Sequence, residues 1–344
     1  MKKNKKMIQI LRAIFIIASL FSLTFVPWIL VKAWIKPLPK TVQEQIHQAI
    51  DYGFDGMIVY VDQKDKEPTF YTGGYNDRVK KTPADPKSLF KIASISKLYV
   101  AVSIAKLVKE DRLSLDNTLL DYLPELEGRI ENASEITLKL MVQHRSGIPN
   151  YTSNQAFWED EQKNKDRALD FAIDLPANFK PNRKYEYSNT NYLLLRRILD
   201  QVLGYSHHQY IKEHILIPLN LNNTFFSIKE VNLDDVMSGY YVGVDEDFKS
   251  NENGMLATAE DVGKFIRALN DGSVFNEGEN DIYKTIYEYK HGGLVPGYQS
   301  LAEYHKDIDA VVVQFINTTD FEGYEWNLSE IIYNRIVKII KKKK

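Results

Sequence analysis

The 344-residue chain contains no cysteine. Disulfides, thiolate metal sites, a lipid-modified cysteine anchor and a cysteine nucleophile are therefore excluded, and redox compartment cannot be read from the chain. An excess of charge is missing too: 44 Lys and Arg against 46 Asp and Glu leave a formal net charge of −2, with no global basic field to hold nucleic acid. There is no internal repeat and no low-complexity tract apart from two lysine-rich ends. What is abundant is core material: 44% of residues are hydrophobic, with 21 Tyr and 16 Phe. That composition predicts one large packed domain with room for a cleft between subdomains.

Charge is absent altogether from residues 13–31, a run rich in Ile, Leu, Phe and Ala. Nineteen residues at 1.5 Å each come close to the thickness of a bilayer core, so the run reads as a transmembrane anchor over 13–34, with Pro27 as a kink. Residues 1–12 carry five basic side chains, which places the N terminus in the cytoplasm by the positive-inside rule, while Trp28 and Trp34 suit the outer interface. A cleaved signal peptide has a similar pattern. The run is longer than a signal-peptide core and no small-x-small cleavage site follows it, so retention in the bilayer is the favoured reading. Either way the body of the chain is exported: a single-pass protein with its main domain outside, or a secreted one. Residues 1–40 hold eight basic and no acidic side chains, leaving 36 basic against 46 acidic in the rest, a net of −10. The exported body is acidic.

Two prolines make residues 35–42 a short stiff linker, and the folded domain is expected over 43–344. Residues 43–52 have helical spacing; 56–61 and 69–71 read as strand and hairpin partner. Apolar positions 95, 98, 102, 105 and 108 predict a helix, and a mainly helical subdomain is expected at about 111–250. Residues 299–304 and 310–316 are strand-like, and 328–340 form an amphipathic helix. The lysine run at 341–344 closes that helix, where positive charge offsets the dipole. Strands at both ends with helices between predict an α+β fold with an antiparallel sheet built from the two chain ends.

Three Ser-x-x-Lys matches occur: Ser88/Lys91, Ser94/Lys97 and Ser103/Lys106. The spacing matters because residues three apart share a helix face, letting an amine reach a serine oxygen. Only Ser94 stands at the start of the apolar helix, where backbone N–H groups and the dipole favour developing negative charge. Lys97 falls on a largely buried first turn, and desolvation would leave a neutral amine able to take the Ser94 proton. Tyr187-Ser188-Asn189 is the sole Tyr-x-Asn, in a loop just before an apolar helix; a tyrosine near a lysine can ionise and carry protons, and an asparagine amide can hold a carbonyl. His291-Gly292-Gly293 precedes a strand, where glycines allow close approach to the strand edge. His207, His208 and His214 lie on one stretch without a completing carboxylate, so no metal site is assigned, and His144 reads as a structural hydrogen-bonding residue.

Taken together, Ser-x-x-Lys, Tyr-x-Asn and His-x-Gly in this order resemble the serine β-lactamase and penicillin-binding-protein superfamily, in particular the branch with class C β-lactamases, serine D-alanyl-D-alanine carboxypeptidases and related esterases. Phrases such as Gly74-Tyr75-Asn76-Asp77-Arg78, His144-Arg145-Ser146-Gly147-Ile148-Pro149 and Leu256-Ala257-Thr258-Ala259-Glu260-Asp261 extend the likeness over residues 41–344. The resemblance implies the β-lactamase/transpeptidase-like fold, Ser94 as nucleophile, Lys97 as its activating amine and Tyr187 as proton carrier. It implies substrate binding by Asn189, His291 and Gly293, and an oxyanion hole from the backbone N–H groups of Ser94 and Leu294. His291 would lend polarity near the substrate carboxylate or leaving group. Lys290-His291-Gly292 also fits the third motif as Lys-x-Gly, and adjacent strand residues point to opposite faces, so only one of Lys290 and His291 enters the site. The Gly-Gly-x-x-Pro-Gly-Tyr phrase favours His291.

The function so implied is an extracytoplasmic serine hydrolase without cofactor, a D-alanyl-D-alanine carboxypeptidase-like peptidase or a D-amino-acid or other esterase on cell-envelope substrates such as peptidoglycan peptides. Lacking Lys-Thr-Gly at the third motif, the chain is less suited to β-lactam hydrolysis. The other class is a non-catalytic sensor that holds cell-wall fragments in the same pocket.

Overall fold

Proline divides the apolar N-terminal run into two helices. The computed structural model describes residues 2–158, 161–252 and 254–342. Helix α1 spans Lys2–Ser22, a 3₁₀ turn follows at Leu23–Phe25, and α2 spans Trp28–Ile35. Val26 is extended (φ −72°, ψ 128°), the conformation that the ring of Pro27 imposes on its predecessor. The stretch expected as an anchor over 13–34 is thus broken at Pro27, where the sequence places a kink. The apolar stretch Lys6–Phe25, 20 residues, is long enough to cross a bilayer, whereas α2 packs against the folded domain and buries Ala33 there. The linker after it is fastened: Arg335 donates to the carbonyls of Lys36 and Pro37 at 2.7 and 3.0 Å.

Helix α3 (Val42–Asp51) opens on a capping box between Thr41 and Glu44. Strands β1 (Gly56–Gln63), β2 (Thr69–Asp77) and β3 (Thr82–Pro83) follow, and β4 (Phe90–Lys91) leads into the 3₁₀ turn Ala93–Ile95 and helix α4 (Ser96–Lys109). Short helices and α5 (Asn189–Leu203) come next, with the two-residue strands β5 (Thr224–Phe225), β6 (Tyr240–Tyr241) and β7 (Leu256–Ala257). Helices α6 (Ala259–Asp271) and α7 (Glu279–Tyr283) lead to β8 (His291–Val295), β9 (Tyr298–His305), β10 (Ala310–Ile316), β11 (Thr318–Thr319) and α8 (Glu325–Lys342). The last two lysines of the C-terminal run lie outside the described residues.

The main sheet runs β3-β2-β1-β10-β9-β8, antiparallel throughout and built from both chain ends, the α+β arrangement the sequence predicts. Both its faces are apolar, and the period of two sorts them. Met57, Val59, Val61, Val312 and Ile316 face α3 and α8, while Ile58, Tyr60, Val311, Val313 and Phe315 face the larger core containing α4 and α6. Tyr99 of α4 stacks on Phe265 of α6 with ring centroids 3.7 Å apart, and Phe90 stacks on Phe315 at 4.3 Å. These contacts fix α4 against α6 and β4 against β10, on either side of the turn that joins β4 to α4.

Candidate active site

Ser94 sits in the turn that feeds α4. The turn is tight: Ala93 has φ +48°, in the left-handed region that side chains other than glycine seldom occupy. The backbone N–H of Ile92 donates to the carbonyl of Met255, and Lys91, almost completely buried, donates to the carbonyl of Asn251 at 2.7 Å, so the approach to Ser94 is pinned from two sides. Strand β8 comes close enough that a Cβ on Gly293 would lie 2.3 Å from the Ile92 carbonyl oxygen. Glycine is required there by this approach. Because β8 is the edge of the sheet, N–H groups on its outer side lie beyond the ladder and face the turn.

Around Ser94 the three motifs converge. Lys97 Nζ lies 2.9 Å from Ser94 Oγ, and the Tyr187 hydroxyl donates to the same oxygen at 2.8 Å. Lys97 also donates to Asn189 Oδ1 at 2.8 Å, while Asn189 Nδ2 donates to Thr152 Oγ1 at 3.1 Å. The Asn189 amide is thus foremost a tether for Lys97, with a second amide hydrogen left for a substrate carbonyl. Lys97 is 4% exposed, and its ammonium position lies 5.0 Å from the ring centre of Tyr187 and 5.5 Å from that of Tyr192. Burial, with the Arg196 guanidinium as a second cause, holds its pKa well below the ordinary lysine value, which favours the neutral amine. Tyr187 departs from the expectation of easy ionisation. Burial pushes its pKa up despite the bond to Ser94, so it acts as a phenol that donates.

Lys290 and His291 point apart. Lys290, which also lines the cleft, pairs with Glu303 at 3.0 Å, whereas the His291 ring stands 6.3 Å from that of Tyr187. His291 Nδ1 faces the Gly292 carbonyl, which assigns the proton to Nδ1, and Nε2 accepts from the Tyr287 hydroxyl at 2.9 Å. Burial and the charge of Lys97 lower its pKa to about 4. At neutral pH it is an uncharged imidazole and offers no cation to a carboxylate.

Further residues join the site: Tyr287, Trp326 and Arg196 without a signal in the sequence, and His144 in the structural, hydrogen-bonding part the sequence suggested. Tyr287 orients His291. His144 (φ +55°) accepts from the Ser188 N–H through Nδ1 at 3.2 Å and stacks on Tyr187 with centroids 4.4 Å apart, fixing the ring that carries the hydroxyl; burial lowers its pKa to about 3. Trp326 of α8 occupies the space beside Gly292, where a Cβ would lie 2.7 Å from its Cη2. Arg196, two helical turns after Asn189, donates to Ser96 Oγ at 3.1 Å. Ser94, Lys97, Tyr187, Arg196, Leu294 and Trp326 all line one open cleft of about 1370 Å³. Of the three histidines of 207–214, His207 bonds Asp200 at 2.7 Å and meets the His208 ring edge-on, His208 stacks on Phe226, and His214 stacks on Tyr210.

A lysine of depressed pKa beside a serine at the head of a buried helix, with a phenol on the same oxygen, is an arrangement able to supply a nucleophile and two proton-transfer groups. The β-lactamase family model matches residues 31–285. The chain belongs to the serine β-lactamase and penicillin-binding-protein superfamily. Protein flp of Staphylococcus aureus (strain MW2) is 28% identical over 249 residues, 64% of this chain and 45% of that protein, so the chain spans just under half the length of this relative. Among solved structures, a D-amino acid amidase from Ochrobactrum anthropi SV3 superimposes with TM-score 0.75 at 21% identity, covering 88% of this chain and 98% of that one. The penicillin-binding protein from Bacillus halodurans gives 0.71 at 20% identity, covering 86% and 99%. These likenesses establish the β-lactamase/transpeptidase fold, in a superfamily of serine hydrolases.

Proposed function

We propose that this chain is an extracytoplasmic serine hydrolase, anchored by α1, that forms an acyl-enzyme on Ser94 with D-amino-acid peptides, amides or esters of the cell envelope. The observation that carries the reading is the shared oxygen: Ser94 Oγ lies 2.9 Å from Lys97 Nζ and 2.8 Å from the Tyr187 hydroxyl, in an open cleft. Neutral Lys97 takes the Ser94 proton as Oγ bonds to the carbonyl carbon. The carbonyl oxygen, now negative, faces the backbone N–H groups of Ser94 and Leu294. As the bond to the leaving group breaks, the Tyr187 hydroxyl protonates that group and recovers its proton from the Lys97 ammonium. Water then attacks the ester, and the same groups return the proton to Ser94.

The leaving-group side is bounded by neutral His291, by Leu294 and by Trp326 over Gly292, without the hydroxyl and lysine of a Lys-Thr-Gly motif. That surface supports peptide, amide and ester substrates over β-lactams. A nitrophenyl ester of an N-acyl-D-alanine tests the proposal. Wild type should turn it over and Ser94→Ala should lose that activity with its fold intact; equal turnover by Ser94→Ala would overturn the reading.

A further inference from the structure

Arg196 is a charged residue of the cleft that acyl transfer at Ser94 does not use. It lies on α5 seven residues after Asn189, so the two side chains share a helix face along the first turn of α4. Asn189 there holds Lys97, and Arg196 reaches Ser96. A guanidinium carries five N–H donors. This one spends a single bond on a neutral hydroxyl and pairs with no carboxylate among the described residues. Burial lowers its pKa, and it sits close enough to Lys97 to lower that pKa too, so a guanidinium and an amine share a desolvated wall with no paired carboxylate among the described residues. Other internal cations of this protein are differently served: Lys106 pairs with Glu279 at 2.8 Å, and Arg335 bonds Gln45 and two carbonyls.

Arg196 nevertheless opens on the cleft, beside Tyr151, Thr152 and Leu193. That wall lies across from β8. In the proposed mechanism Tyr187 delivers the leaving-group proton, and its ring stands 6.3 Å from that of His291 on β8, which puts the leaving group on the β8 side and leaves the α5 wall to the acyl group. We propose that Arg196 is an anion subsite that receives a carboxylate carried by the acyl part of the substrate. The inference rests on the acyl-enzyme reading and names its substrate class: acyl donors with a carboxylate upstream of the scissile carbonyl. A guanidinium and a carboxylate make paired charge-assisted bonds.

The test compares two nitrophenyl esters of D-alanine that differ in one group, N-succinyl with its free carboxylate and N-(methylsuccinyl) with that carboxylate esterified. Full-length wild type should prefer the succinyl ester by about tenfold or more in kcat/KM, corresponding to about 1.4 kcal/mol. Arg196→Gln should erase most of that preference, mainly through KM of the succinyl ester, and Arg196→Lys should keep part of it. No preference in wild type, or an equal loss on both esters in Arg196→Gln, would overturn the subsite and leave Arg196 as a tie between α5 and α4. If Arg196→Gln fails to fold, the wild-type preference and the Arg196→Lys variant still decide. Failure of the underlying reading shows separately, as neither ester acylating Ser94. Calorimetric binding of N-succinyl-D-alanine amide and its methyl ester to Ser94→Ala then tests the subsite without turnover, equal affinities counting against it.

Discussion

Two lysines on α4 stand nine residues apart, each following a serine by three positions, and both are 4% exposed. Their surroundings give them opposite work. Lys106 meets Glu279 at 2.8 Å in an ion pair whose side chains are 5% and 4% exposed. Lys97 meets a serine hydroxyl, an amide oxygen and two aromatic rings, with Arg196 as the nearby charge. A buried lysine with a carboxylate serves as a cation that ties helices together; a buried lysine without one is driven toward the neutral amine and becomes a base. Lys91, behind the third match of the motif, shows another outcome, an amine bonded to backbone carbonyls that fixes the loop beside the site. Spacing alone does not separate the three; the partner does.

The largest effect that would sharpen this contrast falls on chemistry. Ser94→Ala should lower kcat/KM by about 10⁴-fold or more, and Lys97→Met by about 10²- to 10⁴-fold, with circular dichroism unchanged. Lys106→Met should behave in the opposite way. Removing one partner strands Glu279 in the core and should cost about 3–5 kcal/mol in urea unfolding, while the specific activity of the folded fraction stays near wild type. A catalytic loss in Lys106→Met as large as that in Lys97→Met would break the comparison.

Stability of Lys97→Met carries its own sign. The folded-state pKa of Lys97 lies below its ordinary value of 10.5, so between the two the unfolded chain binds more protons and stability rises with pH. The penalty is absent above about pH 10.5, grows as pH falls and is complete below the folded-state pKa. Lys97→Met removes that penalty, so at pH 7 its melting temperature should equal or exceed that of wild type; a marked decrease would mean that Lys97 is structural. Tyr187→Phe, which keeps the ring stacked on His144, should lose about 10²-fold in kcat/KM.

The smallest effect is a shift of the pH profile. The neutral form of Lys97 is the active one, so kcat/KM rises with pH through its depressed pKa. Arg196→Gln removes a neighbouring positive charge and should move that rising limb to higher pH, on charged and uncharged esters alike. A limb that stays in place would separate Arg196 from Lys97 electrostatically.

Much of the site was legible because it is local. Ser94 and Lys97 share one helical turn, and Tyr187 and Asn189 share one loop-to-helix junction, so spacing and the onset of an apolar helix locate them. Strand alternation also framed the choice between Lys290 and His291. Arg196, Tyr287, His144 and Trp326 reach the site through tertiary packing. Nothing in the chain near Arg196 shows that its helix lies along α4, or that no acid among the described residues pairs with it. The sheet was readable at β1, β9 and β10, whose runs are long and apolar, while β4, β5 and β7 are two residues each and owe their existence to one another. Hydropathy found the N-terminal apolar run and Pro27 marked its break, but the partial burial of α2 against the domain shows only in the packing.

The most direct measurement of the central claim is the rate at which a fluorophosphonate labels the full-length protein, followed by intact mass and mapped by peptide. The account predicts one adduct, on Ser94, absent in Ser94→Ala, slowed at least a hundredfold in Lys97→Met and nearly unchanged in folded Lys106→Met. No adduct in folded wild type, an adduct at another residue, or equal labelling rates in the two lysine variants would contradict it.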